Sequence, residues 1–132
     1  MARAKILVID DEAPILRYFE RLLKSLGYEV ALAAESATGC DLARDASVSL
    51  IISDLTMDAE VSDVALIRTL RELRPDVPIV VITGYPTPNR MTECEALGIS
   101  DFLTKPFELS FVSGVLARLL PDHAPPEGKA AE

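Results

Sequence analysis

Short apolar runs punctuate the chain, and each gives way to a segment in which apolar residues recur every three or four positions. Residues 5–9, KILVI, end in Asp10-Asp11-Glu12, the pattern of a parallel strand covered on both faces. Behind it Ile15, Leu16, Phe19, Leu22, Leu23 and Leu26 repeat at helical spacing, with Pro14 in the first turn and Gly27 as the left-handed cap. YEVALA, residues 28–33, predicts a second strand. Ser36 to about Ala46 is a weaker helix, because Thr38 and Gly39 have poor propensity, with Ala37, Leu42 and Ala46 as its inner face.

The second half repeats the alternation. SLIIS, 49–53, predicts a strand that stops at Asp54, and Val64, Leu66, Ile67, Leu70 and Leu73 give the next helix, ended by Pro75. PIVVIT, 78–83, is a buried strand followed by Gly84-Tyr85-Pro86-Thr87-Pro88, whose two prolines delay the next helix and leave Asn89 as its N-cap. That helix runs through Met91, Cys94 and Leu97 to Gly98. ISDFL, 99–103, predicts the last strand, and a helix from about Leu109 carries Phe111, Val112, Val115, Leu116 and Leu119.

Five strands alternating with five helices predict an α/β fold: a doubly wound, five-stranded parallel sheet in the flavodoxin-like order 2-1-3-4-5, with helices on both faces. The 132-residue length suits one domain, expected over residues 1–120, with a Pro-rich, flexible tail over 121–132. Charge narrows the function classes. Thirteen basic against 21 acidic residues give a formal charge of −8, which disfavours direct DNA binding and attraction to membrane surfaces. Cys40 and Cys94 lack metal-ligand spacing and read as helix packing. The apolar run Ile6–Ile9 is too short for a signal peptide or a span, so a cytoplasmic protein is expected.

In doubly wound sheets ligands bind beyond the carboxyl ends of the strands, near the point where strand order reverses, here between the first and third strands. The residues at those ends are Asp10-Asp11, Asp54, Thr83 and Lys105. Any one of them is an ordinary turn residue or cap. Together they suit one chemistry. Clustered carboxylates repel unless a divalent cation joins them, and an all-oxygen donor set suits Mg²⁺. A carboxylate beside the metal can attack phosphorus, while Mg²⁺, an ammonium and a hydroxyl offset charge on the transferring oxygens. Asp54 is thus a candidate for an aspartyl phosphate.

The segments VIDDE (8–12), IISDLTM (51–57), ITG (82–84) and LTKPF (103–107) resemble the response-regulator receiver domain of two-component signalling, over about residues 4–120. The resemblance implies that Asp54 accepts phosphate from the phosphohistidine of a histidine kinase or histidine phosphotransfer protein. It implies Mg²⁺ held by Asp11 and Asp54, with Asp10 acting largely through water and Thr56 lending its backbone carbonyl. Lys105 would pair with Asp54 and then with the phosphoryl group, and Thr83 would swing its hydroxyl toward it. Phe102 falls at the family's aromatic switch position, and core packing explains it equally well. Pro106 matches a position that usually follows a cis peptide, and Thr56 and Tyr85 match positions that tune dephosphorylation. The signalling face would run from about Asn89 to Leu119, with an unidentified downstream protein as partner. Such a domain catalyses its own phosphorylation and dephosphorylation, with no turnover of an external substrate expected.

The chain departs from the family's pattern after Asp54, where Met57 is kept but Asp58 stands in place of the usual proline. Ser62 or Asp63 occupies the usual glycine position, and the loop is about one residue longer than expected. Asp58, Glu60 and Asp63 read as a solvated acidic loop and are not assigned as ligands. Other readings are a phosphorylation-independent binding module, a relay intermediate or a receiver cut from a hybrid kinase, with Met1 favouring a free-standing regulator. The single histidine, His123, lies in the tail. A Mg²⁺ phosphohydrolase would space its two acids two residues apart after the first strand, whereas Asp10 and Asp11 are adjacent. A flavin protein would need a Ser/Thr/Gly-rich phosphate loop there.

Overall fold

The computed structural model describes residues 4–55, 64–84, 87–105 and 108–120. Strands and helices alternate along the chain: β1 (Lys5–Ile9), α1 (Ala13–Ser25), β2 (Glu29–Ala33), α2 (Ser36–Ala43), β3 (Val48–Asp54), α3 (Ala65–Leu73), β4 (Ile79–Thr83), α4 (Pro88–Ala96), β5 (Asp101–Thr104) and α5 (Leu109–Leu119). All strand pairs are parallel and the order is β2-β1-β3-β4-β5, as the alternation predicts.

The apolar strand runs are continuous because both faces of the sheet are covered. Side chains alternate across the pleat. Ile6, Val8, Leu50, Ile52, Val80 and Ile82 pack with Phe19 and Leu23 of α1 and with Val112, Val115 and Leu116 of α5. On the other face Leu7, Ile9, Ile51, Ile79 and Val81 pack with Ala43 of α2, Ile67 and Leu70 of α3 and Cys94 of α4. Two cores thus clamp the central strands, and what remains open is the edge where the strands end.

Several boundaries differ from the sequence reading for physical reasons. α2 ends at Ala43, and its inner face is Gly39 and Ala43, while Ala37 and Ala46 are exposed. A Cβ on Gly39 would lie 2.6 Å from Ile9 Cδ1, so the low-propensity residue is what lets α2 approach β1. Asp45 then ends the segment with a turn, its Oδ1 accepting from the Ser47 N–H at 2.8 Å. α4 is capped by Thr87 rather than Asn89, with the Arg90 N–H donating to the Thr87 hydroxyl at 3.3 Å. Pro88 sits in its first turn, where a missing N–H costs nothing. β5 lies C-terminal to the expected 99–103 because its register sets Thr104 opposite Thr83, the last residue of β4.

Gly27 and Gly98 take positive φ, 93° and 76°, as the caps after α1 and α4 require. α3 stops before Pro75, as read, and Arg71 in its last turn reaches across the loops. Its guanidinium donates to the carbonyls of Val77 (2.9 Å), Leu97 (3.0 Å) and Gly98 (3.0 Å), tying α3 to the end of α4 and the entry to β4.

Candidate functional site

Asp10 directly follows β1. Its N–H donates to the Ala33 carbonyl at 3.0 Å, continuing the ladder, and its Oδ1 accepts from the Glu12 N–H at 2.8 Å. The side chain is fully buried, and Oδ2 lacks a hydrogen-bond partner among the described residues. Asp11 is exposed beside it. Asp54, the last residue of β3, is 2 % exposed. Together with Glu12, these acids form a group in which one carboxylate oxygen from each lies within 4.8 Å of the others.

Lys105 follows β5 and faces this group. Its N–H donates to the Thr83 carbonyl at 2.9 Å, which fixes the base of the side chain. Its ammonium stands 3.5 Å from Asp54 Oδ2 and 3.6 Å from Asp10 Oδ2, and is ion-paired directly to Glu12. Thr83 is fully buried at the end of β4, opposite Thr104 of β5. Phe102 is half-buried against the core on the α2, α3 and α4 side of the sheet.

The electrostatics follow from this packing. Burial pushes the Asp10 carboxyl up to about 6; the charges of Asp54 and Glu12 add to that, while the Glu12 N–H and Lys105 oppose it. Burial alone would lower the Lys105 ammonium. The Glu12 hydrogen bond and the charges of Asp54 and Asp10 outweigh it, and its pKa is raised.

The strand-end residues Asp10, Asp11, Asp54 and Lys105 therefore meet as the topology requires, with Thr83 on the adjoining strand end. Glu12, the third acid of its run, has no role predicted by the sequence, and its contact with Lys105 spans 93 positions. Thr56, Tyr85 and Pro106 lie outside the described residues, as do Met57, Asp58, Glu60 and Asp63.

A family model described as the response regulator receiver domain matches residues 6–114. The chain belongs to the response-regulator receiver family. Receiver domains are phosphoacceptor signalling modules, and this one is similar to the corresponding parts of larger regulators. It is 31 % identical over 132 residues to the DNA-binding transcriptional regulator NtrC of Azospirillum brasilense, covering 100 % of this chain and 27 % of that protein. It is 29 % identical over 115 residues to the transcriptional regulatory protein ZraR of Escherichia coli, covering 87 % of this chain and 26 % of that protein. The receiver thus spans about a quarter of the length of these relatives.

Among solved structures, the chemotaxis protein CheY4 of Vibrio cholerae matches with TM-score 0.81 and 30 % identity, over 90 % of this chain and 100 % of that one. A response regulator from Burkholderia pseudomallei, solved with a phosphorylated aspartic acid, a calcium ion and citrate, matches with TM-score 0.76 and 28 % identity, over 96 % and 68 %. The receiver domain of a sensor histidine kinase from Pseudomonas aeruginosa, solved with a magnesium ion in its active-site cleft, matches with TM-score 0.78 and 26 % identity, over 91 % and 99 %. Among the described residues no helix is long and apolar enough to cross a membrane.

Proposed function

We propose that Asp54 is the phosphoacceptor of this receiver, charged by the phosphohistidine of a histidine kinase or histidine phosphotransfer protein. The observation that carries this reading is the position of Asp54: nearly buried at the end of the central strand β3, inside the acid group and 3.5 Å from the Lys105 ammonium. In the transfer an Asp54 carboxylate oxygen forms a bond to phosphorus as the phosphorus–nitrogen bond of the donor breaks. The imidazole nitrogen keeps the electron pair and takes a proton from solvent.

The donor set fits a hard divalent cation. It is all oxygen, and the buried Asp10 Oδ2 without a hydrogen-bond partner among the described residues is the atom such an ion would satisfy, directly or through water. Asp10, Asp11, Asp54 and the Thr56 carbonyl would hold Mg²⁺. When bound, the ion offsets the negative charge gathered on the transferring oxygens. Lys105 would supply a second positive charge from the end of β5, and the Thr83 hydroxyl would donate to a phosphoryl oxygen.

Signalling follows from the position of Thr83. It ends β4 just before Gly84, and Thr87 and Pro88 start α4. A shift of Thr83 toward the phosphoryl group pulls on this connection and on β5 beside it, where Phe102 sits. The face made by α4, β5 and α5 is the proposed contact surface for the downstream protein. On it Arg118 of α5 is ion-paired to Asp101 of β5, and Phe111 is 51 % exposed.

Incubating the protein with a small phosphodonor and Mg²⁺ and measuring intact mass tests the chemistry. One added phosphoryl group on the wild type and none on Asp54→Asn is expected. Retention of the group by Asp54→Asn overturns the site assignment.

A further inference from the structure

The nearest partner of Lys105 is not the proposed phosphoacceptor. Its ammonium stands 3.5 Å from Asp54 and 3.6 Å from Asp10, both longer than the roughly 2.8 Å of a charge-assisted hydrogen bond, whereas it pairs directly with Glu12. Taking Asp54 as phosphoacceptor, we propose that Glu12 is a positioning residue that holds Lys105 back from Asp54 and competes with the incoming phosphoryl group for its ammonium.

The backbone of Glu12 is fixed on both sides. Its N–H donates to Asp10 Oδ1 at 2.8 Å, and its carbonyl accepts from the N–H groups of Ile15 (3.0 Å) and Leu16 (3.2 Å) to start α1. Glu12 is the N-cap residue of that helix, yet its side chain makes no capping bond. The carboxylate is turned instead to the strand end that bears Lys105.

The pair is also built to exchange. The Glu12 side chain is 55 % exposed, so releasing it to water exacts little desolvation. Lys105 is anchored through its own N–H at the Thr83 carbonyl, and its side chain is 20 % exposed. The ammonium sits on a flexible four-carbon stem, so it can change partners while its base stays fixed. A phosphoryl group on Asp54 offers several anionic oxygens where Glu12 offers one carboxylate, and it wins the ammonium. Part of its attraction is consumed in breaking the Glu12–Lys105 pair, which slows phosphorylation.

A double-mutant cycle tests this. Initial phosphorylation rates with phosphoramidate at saturating Mg²⁺ are measured by intact mass for the wild type, Glu12→Gln, Lys105→Ala and the double variant. Glu12→Gln is expected to raise the rate about two- to fivefold in the Lys105 background, the range set by a half-exposed ion pair. In the Lys105→Ala background, followed for longer, it is expected to change nothing. Equal acceleration in both backgrounds would mean that Glu12 merely repels the anionic donor, and it overturns the proposal. So does an unchanged or slower rate in the Lys105 background. Mg²⁺ titration of Glu12→Gln supplies the second arm: affinity close to wild type supports the proposal, and a loss of about tenfold or more makes Glu12 a metal ligand and overturns it. Asp54→Asn is run alongside, so that phosphoryl uptake by that variant exposes a wrong acceptor separately from the Glu12 comparison.

Discussion

The Lys105 ammonium stands 3.5 Å from Asp54 Oδ2, although the two residues enter from strands separated in the sheet by β4. Cation and acceptor are thus brought together by sheet order alone, and the distance leaves the lysine to finish its approach as charge develops. Lys105→Ala is expected to slow phosphorylation from a small donor about a hundredfold, in line with loss of one preorganised charge in a transfer site. An intact-mass time course measures it, and a rate within threefold of wild type would remove Lys105 from the chemistry.

Asp10 makes the metal-free protein pH-sensitive. Its carboxyl is pushed from 3.8 up to about 6, so the folded state holds that proton more tightly than the unfolded chain. The stabilisation is complete below about pH 4 and is lost as pH rises through about 6, by about 3 kcal/mol at most. Asp10→Asn should therefore stabilise the metal-free protein at pH 7.5 by about 1–3 kcal/mol and flatten its own part of the pH dependence between 4 and 6. Urea denaturation with chelator present at several pH values measures both. An unchanged stability at pH 7.5 would contradict it.

The same proton competes with metal. Apparent Mg²⁺ affinity is expected to fall as pH drops below about 6, because the ion requires the carboxylate form. Calorimetric titration at pH 5 and pH 7.5 reads the difference, and equal affinities would argue against Asp10 as part of the binding set.

Gly39 against Ile9 gives a test of the fold. Ala is the better helix former by about 1 kcal/mol, yet a Cβ at 39 would meet Ile9 Cδ1 at 2.6 Å inside a packed core. Gly39→Ala is expected to destabilise by about 1–3 kcal/mol. Adding Ile9→Val, which removes that Cδ1, should recover part of the loss, making the pair less costly than the sum of the singles. Strict additivity in denaturant unfolding would show that the two do not touch.

What the sequence made legible follows from physics local to each segment. Apolar runs ended by acids mark buried parallel strands, helical spacing marks the crossovers, and the right-handed alternation leaves few sheet orders; Asp10, Asp11, Asp54 and Lys105 then converge by topology. Contacts between distant segments were not legible. Nothing in the run Asp10-Asp11-Glu12 announces that its third acid meets a lysine 93 positions away. Gly39 looked like a flaw in a helix because propensity is local, whereas its use lies in the approach to Ile9. Arg71 carries no signal in its own helix, and only the packed fold brings the carbonyls of Leu97 and Gly98 within its reach.

The central claim is that phosphate arrives on Asp54. The most direct measurement is to phosphorylate the wild-type protein with a small donor and Mg²⁺, reduce the acyl phosphate with borohydride, and locate the resulting homoserine by peptide mass. The account predicts conversion at position 54 alone. Conversion at Asp58, Asp63 or the Asp10-Asp11 pair with position 54 unchanged would contradict it.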